Sequence, residues 1–281
     1  MVNSVLITGG SGFFGRAFAR RMLADHAERV CVYSRGEHAQ ALMREELKDD
    51  RLRFLIGDVR DVGRLRLAME GVDTVVHAAA LKRIEVGHYD PVEMVKTNIG
   101  GTINVIDAAH SSGVERCVLV SSDKAWQPIS PYGQTKALAE TLFLNANNVF
   151  GWRGPRFAVC RYGNVAGSTG SVIPAWRRAL QAGDTVPVSD PDCTRFWMTI
   201  DEAVEFVAQA ANDVYCEREE VRIPELPAFR LGDLAEAMGA RMDVTMLPAW
   251  EKKHEGMRDG MTSDVARRMS VEELREALEN V

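Results

Sequence analysis

The stretch VLITGGSGFFGRAFARRMLADHA (5–27) joins a short apolar run to a segment of helical period through Gly9, Gly12 and Gly15, spaced as GxxGxxG. Glycine is needed where a backbone turns tightly and comes close to a pyrophosphate, and the helix N-terminus that follows meets the ligand's negative charge. Alone, this spacing is ordinary turn chemistry. With a strand before it and a helix after it, at the head of a βαβ series, it reads as a dinucleotide fingerprint.

The same alternation continues outward. RVCVYSR precedes EHAQALMREEL, RFLIGDV precedes DVGRLRLAME, TVVHAA precedes PVEMVKTNIGGTINVIDAAHSSG, and RCVLVSS precedes SPYGQTKALAETLFLNANNVF, with RFAVCRYGNV closing the series. The apolar runs are continuous rather than alternating, as in strands covered on both faces. The expected fold class is α/β, a Rossmann-type doubly wound parallel sheet with a smaller C-terminal substrate-binding lobe. The expected division is 1–165 for dinucleotide binding and 166–281 mainly for substrate, with some later segments returning to the sheet. Near the end, SVEELREALEN starts with Ser270 and places Glu273 three residues on, a capping box for a last helix.

Composition narrows the function classes. With 281 residues, 46% hydrophobic and 26% charged, the chain reads as an ordinary globular protein, and a net charge of −6 lends no support to nucleic-acid or anionic-membrane partners. The opening residues lack the charged-then-apolar pattern of a leader, and no apolar run approaches the roughly 20 residues of a membrane span, so a cytoplasmic location is expected. Five cysteines without a CxxC pair read as reduced thiols, Cys31, Cys117 and Cys160 within strands, with no metal expected.

The dinucleotide contacts expected from the first turn are Gly9, Ser11, Gly12, Phe13, Phe14 and Gly15. The second strand ends Tyr33, Ser34, Arg35, with no acid before Glu37 to take a ribose 2′-hydroxyl. A guanidinium fork and a hydroxyl suit a 2′-phosphate, which points to NADP, unless Arg35 is only a solvated loop residue. Asp58, followed by Val59, can accept from the adenine or cap the next helix. Ala78, Ala79 and Ala80 let a dinucleotide lie close, and Lys82 and Asn98 complete the expected set.

The segment SSDKAWQPISPYGQTK (121–136) crowds proton-transfer groups into one turn. Tyr132 and Lys136 are four apart and share a helix face. A nearby ammonium favours the phenolate and is expected to lower the tyrosine toward the working pH.

YGQTK, the TGGSGFFG turn and the late RYGNV together resemble the extended short-chain dehydrogenase/reductases across nearly the whole chain. Within them, SSDKA ahead of YGQTK, HAAALK (77–82), VKTNIGGTINVIDAA (95–109), RYGNVAGSTGSVIP (161–174) and TRFWMTIDEAVEFV (194–207) resemble the short soluble UDP-N-acetylglucosamine 4,6-dehydratases. The resemblance implies a UDP-HexNAc substrate, bound NADP and a homo-oligomer. It implies Tyr132 as base at O4 with Ser122 bonding that oxygen, Lys124 as a neutral base at C5, Asp123 as acid for the departing C6 hydroxyl, and Lys136 on the nicotinamide ribose. A neutral Lys124 is expected to need a depressed pKa. For substrate, the implied contacts are Lys82, Asn164, Ser171, Val172, Arg195 and Glu255. Tyrosine in YxxxK resembles the C5-inverting form, although these residues do not fix which face is reprotonated. A 4-epimerase of the same fold needs Ser, Tyr and Lys but gives Asp123 and Lys124 no task, and a non-catalytic NADP-binding protein needs none of them. One segment departs from the pattern: relatives carry RPGEKLHE where this chain has PAWEKKHE (248–255), without the arginine.

Overall fold

The computed structural model describes residues 2–213 and 221–281, and Cys216 lies outside them. The first half alternates strand and helix as expected: β1 (Ser4–Thr8), α1 (Phe13–Ala24), β2 (Arg29–Ser34), α2 (Glu37–Leu47), β3 (Leu52–Ile56), α3 (Val62–Met69) and β4 (Thr74–His77). The long fourth crossover is α4 (Ile84–Tyr89), α5 (Pro91–Val95), a π turn over Lys96–Gly100 and α6 (Gly101–Ser111). Then come β5 (Arg116–Val120), a 3₁₀ turn at Asp123–Ala125, α7 (Pro131–Phe150) and β6 (Arg156–Cys160). The remainder comprises β7 (Asn164–Val165), α8 (Val172–Ala182), β8 (Val186–Val188), β9 (Thr194–Met198), α9 (Ile200–Asp213), β10 (Val221–Arg222), β11 (Ala228–Arg230), α10 (Leu231–Ala237), β12 (Met242–Val244), β13 (Gly256–Arg258), β14 (Met261–Thr262) and α11 (Val271–Glu279).

Seven parallel strands form the central sheet in the order β10-β6-β5-β4-β1-β2-β3. The order reverses between β1 and β4, so a crevice opens above their carboxyl ends. The strands are apolar because helices cover both faces. Phe18, Met22, Val204 and Val207 pack on one side, and Leu65, Met69, Val105 and Phe143 on the other. Each such buried side chain contributes about 1.5–3 kcal/mol. The C-terminal segment is shared between layers: α9 lies on α1 and β10 joins the sheet edge beside β6. The rest has its own core around Trp176, Trp197, Phe229, Leu234 and Leu274. Trp197 meets Phe229 edge-on at 5.6 Å, a packing role. Ser270 and Glu273 form the expected capping box of α11. Among the described residues, no helix is long and apolar enough to cross a membrane.

Candidate active site

A cavity of about 800 Å³ runs along the carboxyl ends of the sheet, from the glycine turn after β1, past the DKA turn and the start of α7, to residues 163–171. At the glycine turn, Gly9 has φ +69°, and a Cβ there would stand 3.0 Å from the Ala79 backbone. Gly15 touches Gly10 so closely that any side chain would collide with it. The N-terminus of α1 at Gly12 has no side-chain cap and no acid in its first turn, leaving its N–H groups open toward the cavity. This is a fit for a pyrophosphate.

Ser34 Oγ accepts from Ser11 Oγ at 2.8 Å and from Gln40 Nε2 at 2.9 Å, and Gln40, missed in the sequence, also bonds the Ser34 and Leu55 carbonyls. Arg35 projects with its side chain 58% exposed, 3.9 Å from Asp58 Oδ2. Asp58 is not a helix cap. That task belongs to Asp61, while Asp58 holds the Arg60 backbone and guanidinium. Val59, Ala78, Ala79, Ala80 and Lys82 line the cavity. Asn98 does not reach its wall, because the π turn aims its amide at both backbone groups of Leu81 and at Thr135 Oγ1. It positions the HAAALK loop.

At the chemical end, β5 delivers Ser121 and Ser122 directly into the DKA turn, and Ser130 caps α7 by accepting from Gly133 N–H at 3.1 Å. Ser122, Asp123, Lys124, Tyr132 and Lys136 all face the cavity. Gly133 in the YGQTK motif has a clear reason: a Cβ there would strike the Lys124 carbonyl oxygen. We expect Gly133→Ala to destabilise the protein by about 1–3 kcal/mol through overpacking, and to lower activity further by displacing Lys124 from Tyr132. Thermal unfolding and turnover on the same preparation check both effects, and wild-type values for both would disprove this account of the glycine.

Electrostatics here depart from the sequence-based expectation in two places. Tyr132 is pushed up, to about 12, because burial outweighs the pull of Lys124 and of the Ser122 hydroxyl. Lys136 is instead engaged with the Val120 carbonyl at 2.7 Å, and burial lowers its ammonium to about 8 against the opposing pull of Glu140. Lys124 is raised rather than depressed. Burial does lower it, but the buried carboxylates of Asp123, 3.2 Å away, and Glu255, 3.1 Å away, outweigh that loss. Asp123 is raised by burial, as expected for an acid.

Glu140, missed in the sequence, accepts from Ser121 Oγ at 2.5 Å and from Arg161, whose guanidinium also bonds the Met257 carbonyl. This braces the strand end beneath the DKA turn. A helix spacing of four from Lys136 was the available signal.

Asn164 and Ser171 border the cavity, and each has a buried oxygen, Asn164 Oδ1 and Ser171 Oγ, without a partner. Val172 begins α8 behind Ser171 and is not on the wall. Arg195 is also off the wall: only 4% exposed, it pairs with Glu251 Oε1 at 2.6 Å and bonds the Thr194 and Lys253 carbonyls. The 248–255 segment folds back over it and takes up its fork. Glu255 likewise stands behind Lys124 rather than on the cavity wall.

A tyrosine and a lysine one helical turn apart, facing a glycine-rich turn across the ends of a parallel sheet, is the layout of the extended short-chain dehydrogenase/reductases, and this chain is one of them. The family model described as polysaccharide biosynthesis protein matches residues 5–269, and the chain belongs to that family. It is 40% identical over 258 residues to the UDP-N-acetylglucosamine 4,6-dehydratase (inverting) of Campylobacter jejuni, covering 90% of this chain and 77% of that protein. It is 35% identical over 239 residues to a UDP-glucose 4-epimerase of Rickettsia akari, covering 84% and 70%. The X-ray structure of Pen from Bacillus thuringiensis superposes with a TM-score of 0.94 at 32% identity, covering 99% of this chain and 98% of that one. The dTDP-glucose 4,6-dehydratase DesIV of Streptomyces venezuelae shares the fold at a TM-score of 0.84 and 23% identity, covering 98% and 96%.

Proposed function

We propose that the protein is an NADP-dependent nucleotide-sugar 4,6-dehydratase, a hydro-lyase that converts UDP-N-acetylglucosamine into a UDP-4-keto-6-deoxy-HexNAc with inversion at C5. The observation that carries this reading is the pairing of buried Asp123 with half-buried Lys124, facing the cavity beside Tyr132. A 4-epimerase has no proton for these two groups to move. The Campylobacter relative named for this reaction supports the substrate class, and the unpartnered Asn164 and Ser171 oxygens supply polar contacts for a nucleotide sugar. NADP rather than NAD is supported by Ser34 and Arg35 at the end of β2, with Ser11 of the glycine turn bonding Ser34.

When bound, the dinucleotide supplies a reversible two-electron acceptor and a positive ring charge that favours the Tyr132 phenolate. Tyr132 takes the O4 proton, and Ser122 bonds O4 as it becomes a carbonyl. Lys124 then removes the C5 proton, which the 4-ketone acidifies, and Asp123 protonates the C6 hydroxyl so that it departs as water. Lys124 and Asp123 share one proton between them, so its transfer from ammonium to carboxylate creates the free base and the neutral acid together. The hydride withdrawn from C4 is then returned to C6 and C5 regains a proton, so the balance is one sugar in, one 4-keto-6-deoxy sugar and one water out, with no net oxidation. Assembly as a cytoplasmic homo-oligomer belongs to the same reading, by the resemblance alone.

The test is proton NMR of UDP-N-acetylglucosamine with the purified protein in deuterated water, without added cofactor, followed by mass spectrometry of the dinucleotide released on denaturation. A new 6-methyl signal, deuterium at C5, inverted C5 couplings and released NADP are expected. The Rickettsia relative favours 4-epimerisation as the second reading. That outcome shows a changed H4 coupling with no methyl signal, and it would sink the dehydratase assignment. Released NAD would overturn the role given to Arg35.

A further inference from the structure

Glu255 comes from the 248–255 segment, far along the chain from the catalytic turn, yet its Oε1 lies 3.1 Å from Lys124 Nζ. Asp123 Oδ1 reaches the same nitrogen at 3.2 Å. Both carboxylates are buried, 2% and 1% exposed, while the lysine side chain keeps 20% of its surface open and lines the cavity. The nitrogen is thus held by two buried anions and still faces the substrate space.

The surroundings keep Glu255 where it is. Its N–H donates to Ser263 Oγ at 2.9 Å, and Ser263 Oγ bonds Thr194 of β9. Lys252 lies 3.6 Å from Glu255 Oε2 and donates to the Trp126 carbonyl at the end of the DKA turn. Gly256 packs beneath Trp126, where a Cβ would come within 2.9 Å of the indole. Glu255 Oε2 itself has no hydrogen-bond partner. Burying such a carboxylate is costly unless a cation needs it.

We infer that Glu255 is a positioning residue for Lys124: it anchors Nζ at the cavity wall and balances its charge against Asp123, so that the turn holds one movable proton. This rests on the dehydratase reading. The groups facing Lys124 are Asp123 on its own turn, Glu255 with Lys252 from the 248–255 segment, Arg195 from β9, and Tyr132 with Lys136 from α7. With Glu251, which pairs with Arg195, the partly buried knot behind the turn sets Lys124, Lys252 and Arg195 against Asp123, Glu251 and Glu255. Charge is matched there, and a proton passes from Lys124 to Asp123 without changing the total.

Glu255→Gln and Glu255→Asp in the full chain test this with two readouts. The first needs no substrate: competitive acetylation of amines with acetic anhydride across pH, read by peptide mass spectrometry. Removing the anion removes support for the ammonium, so the Lys124 labelling midpoint should fall by about one pH unit or more in Glu255→Gln and stay near wild type in Glu255→Asp. The second is a single turnover with UDP-N-acetylglucosamine. Glu255→Gln should keep C4 oxidation, seen as reduced dinucleotide, while C5 deuterium exchange and 6-methyl formation slow about tenfold or more, part of the ~10²–10⁴-fold that acid–base catalysis carries. The acid limb of the exchange rate should move to lower pH. An unmoved labelling midpoint overturns the inference whatever the substrate, as does equal loss of C4 oxidation and C5 exchange. A wild type that oxidises no nucleotide sugar sinks the dehydratase reading, while the labelling still decides whether Glu255 holds Lys124.

Discussion

Lys124→Met is expected to stop the proposed reaction halfway: C4 should be oxidised, reduced dinucleotide should accumulate, and formation of the 6-deoxy product should fall by about 10³-fold or more, within the range for loss of a positioned acid–base group. The split follows from the site. Tyr132 and Ser122 can act on O4 without the lysine, whereas the C5 proton has no other amine assigned to it. Near-ultraviolet absorbance and NMR of one sample separate the two events. Wild-type C5 exchange in this variant would move the base elsewhere and dissolve the case for dehydration built on Asp123 and Lys124. The substitution also strands Asp123 and Glu255 as buried carboxylates without their shared cation. Removing one partner of a buried pair costs about 3–5 kcal/mol. Asp123, already raised by burial, then stands further above its unfolded value, so its contribution to stability is greatest below the unfolded carboxylate range and is lost as pH rises through the folded value. Unfolding midpoints of the variant should therefore improve on acidification.

Tyr132→Phe fails one step earlier. C4 oxidation should drop by about 10²–10⁴-fold with the dinucleotide retained, because the glycine turn, Ser34 and Arg35 are untouched. In the wild type the phenol stands at about 12, raised by burial. The competent phenolate fraction therefore grows as pH rises through neutrality, and C4 oxidation should increase with pH until another group limits it. The variant should lose that limb. Comparing reduced-dinucleotide formation across pH in both proteins is the measurement, and an unchanged profile in Tyr132→Phe would remove the tyrosine from the first step.

What could be read in the chain was local. Glycines at GxxGxxG spacing between an apolar run and a helix imply a phosphate turn whatever surrounds them, and strands apolar throughout imply a sheet covered on both faces. YGQTK places Tyr132 and Lys136 on one helix face because the helix period does so. The identities of the groups in the catalytic turn, and the capping box at Ser270, were legible for the same reason: each depends on neighbours within a few residues.

Contacts between distant residues were not legible. Arg195 and Glu255 both looked like ligands for a nucleotide sugar, yet the 248–255 segment folds over β9 and engages one with Glu251 and the other with Lys124. Glu140 was not singled out in the sequence, yet it takes Ser121 and Arg161 in the interior. Charge states followed these contacts. A tyrosine near lysines was expected to be lowered and a lysine near cations to be depressed, but burial raised Tyr132 and two carboxylates raised Lys124. The sequence by itself determined the fold class and which chemical groups meet at the turn, because period and spacing act along the chain. Only the tertiary structure decided which protons those groups hold, because desolvation and Coulomb energy depend on distances through space that residues more than a hundred positions apart set together.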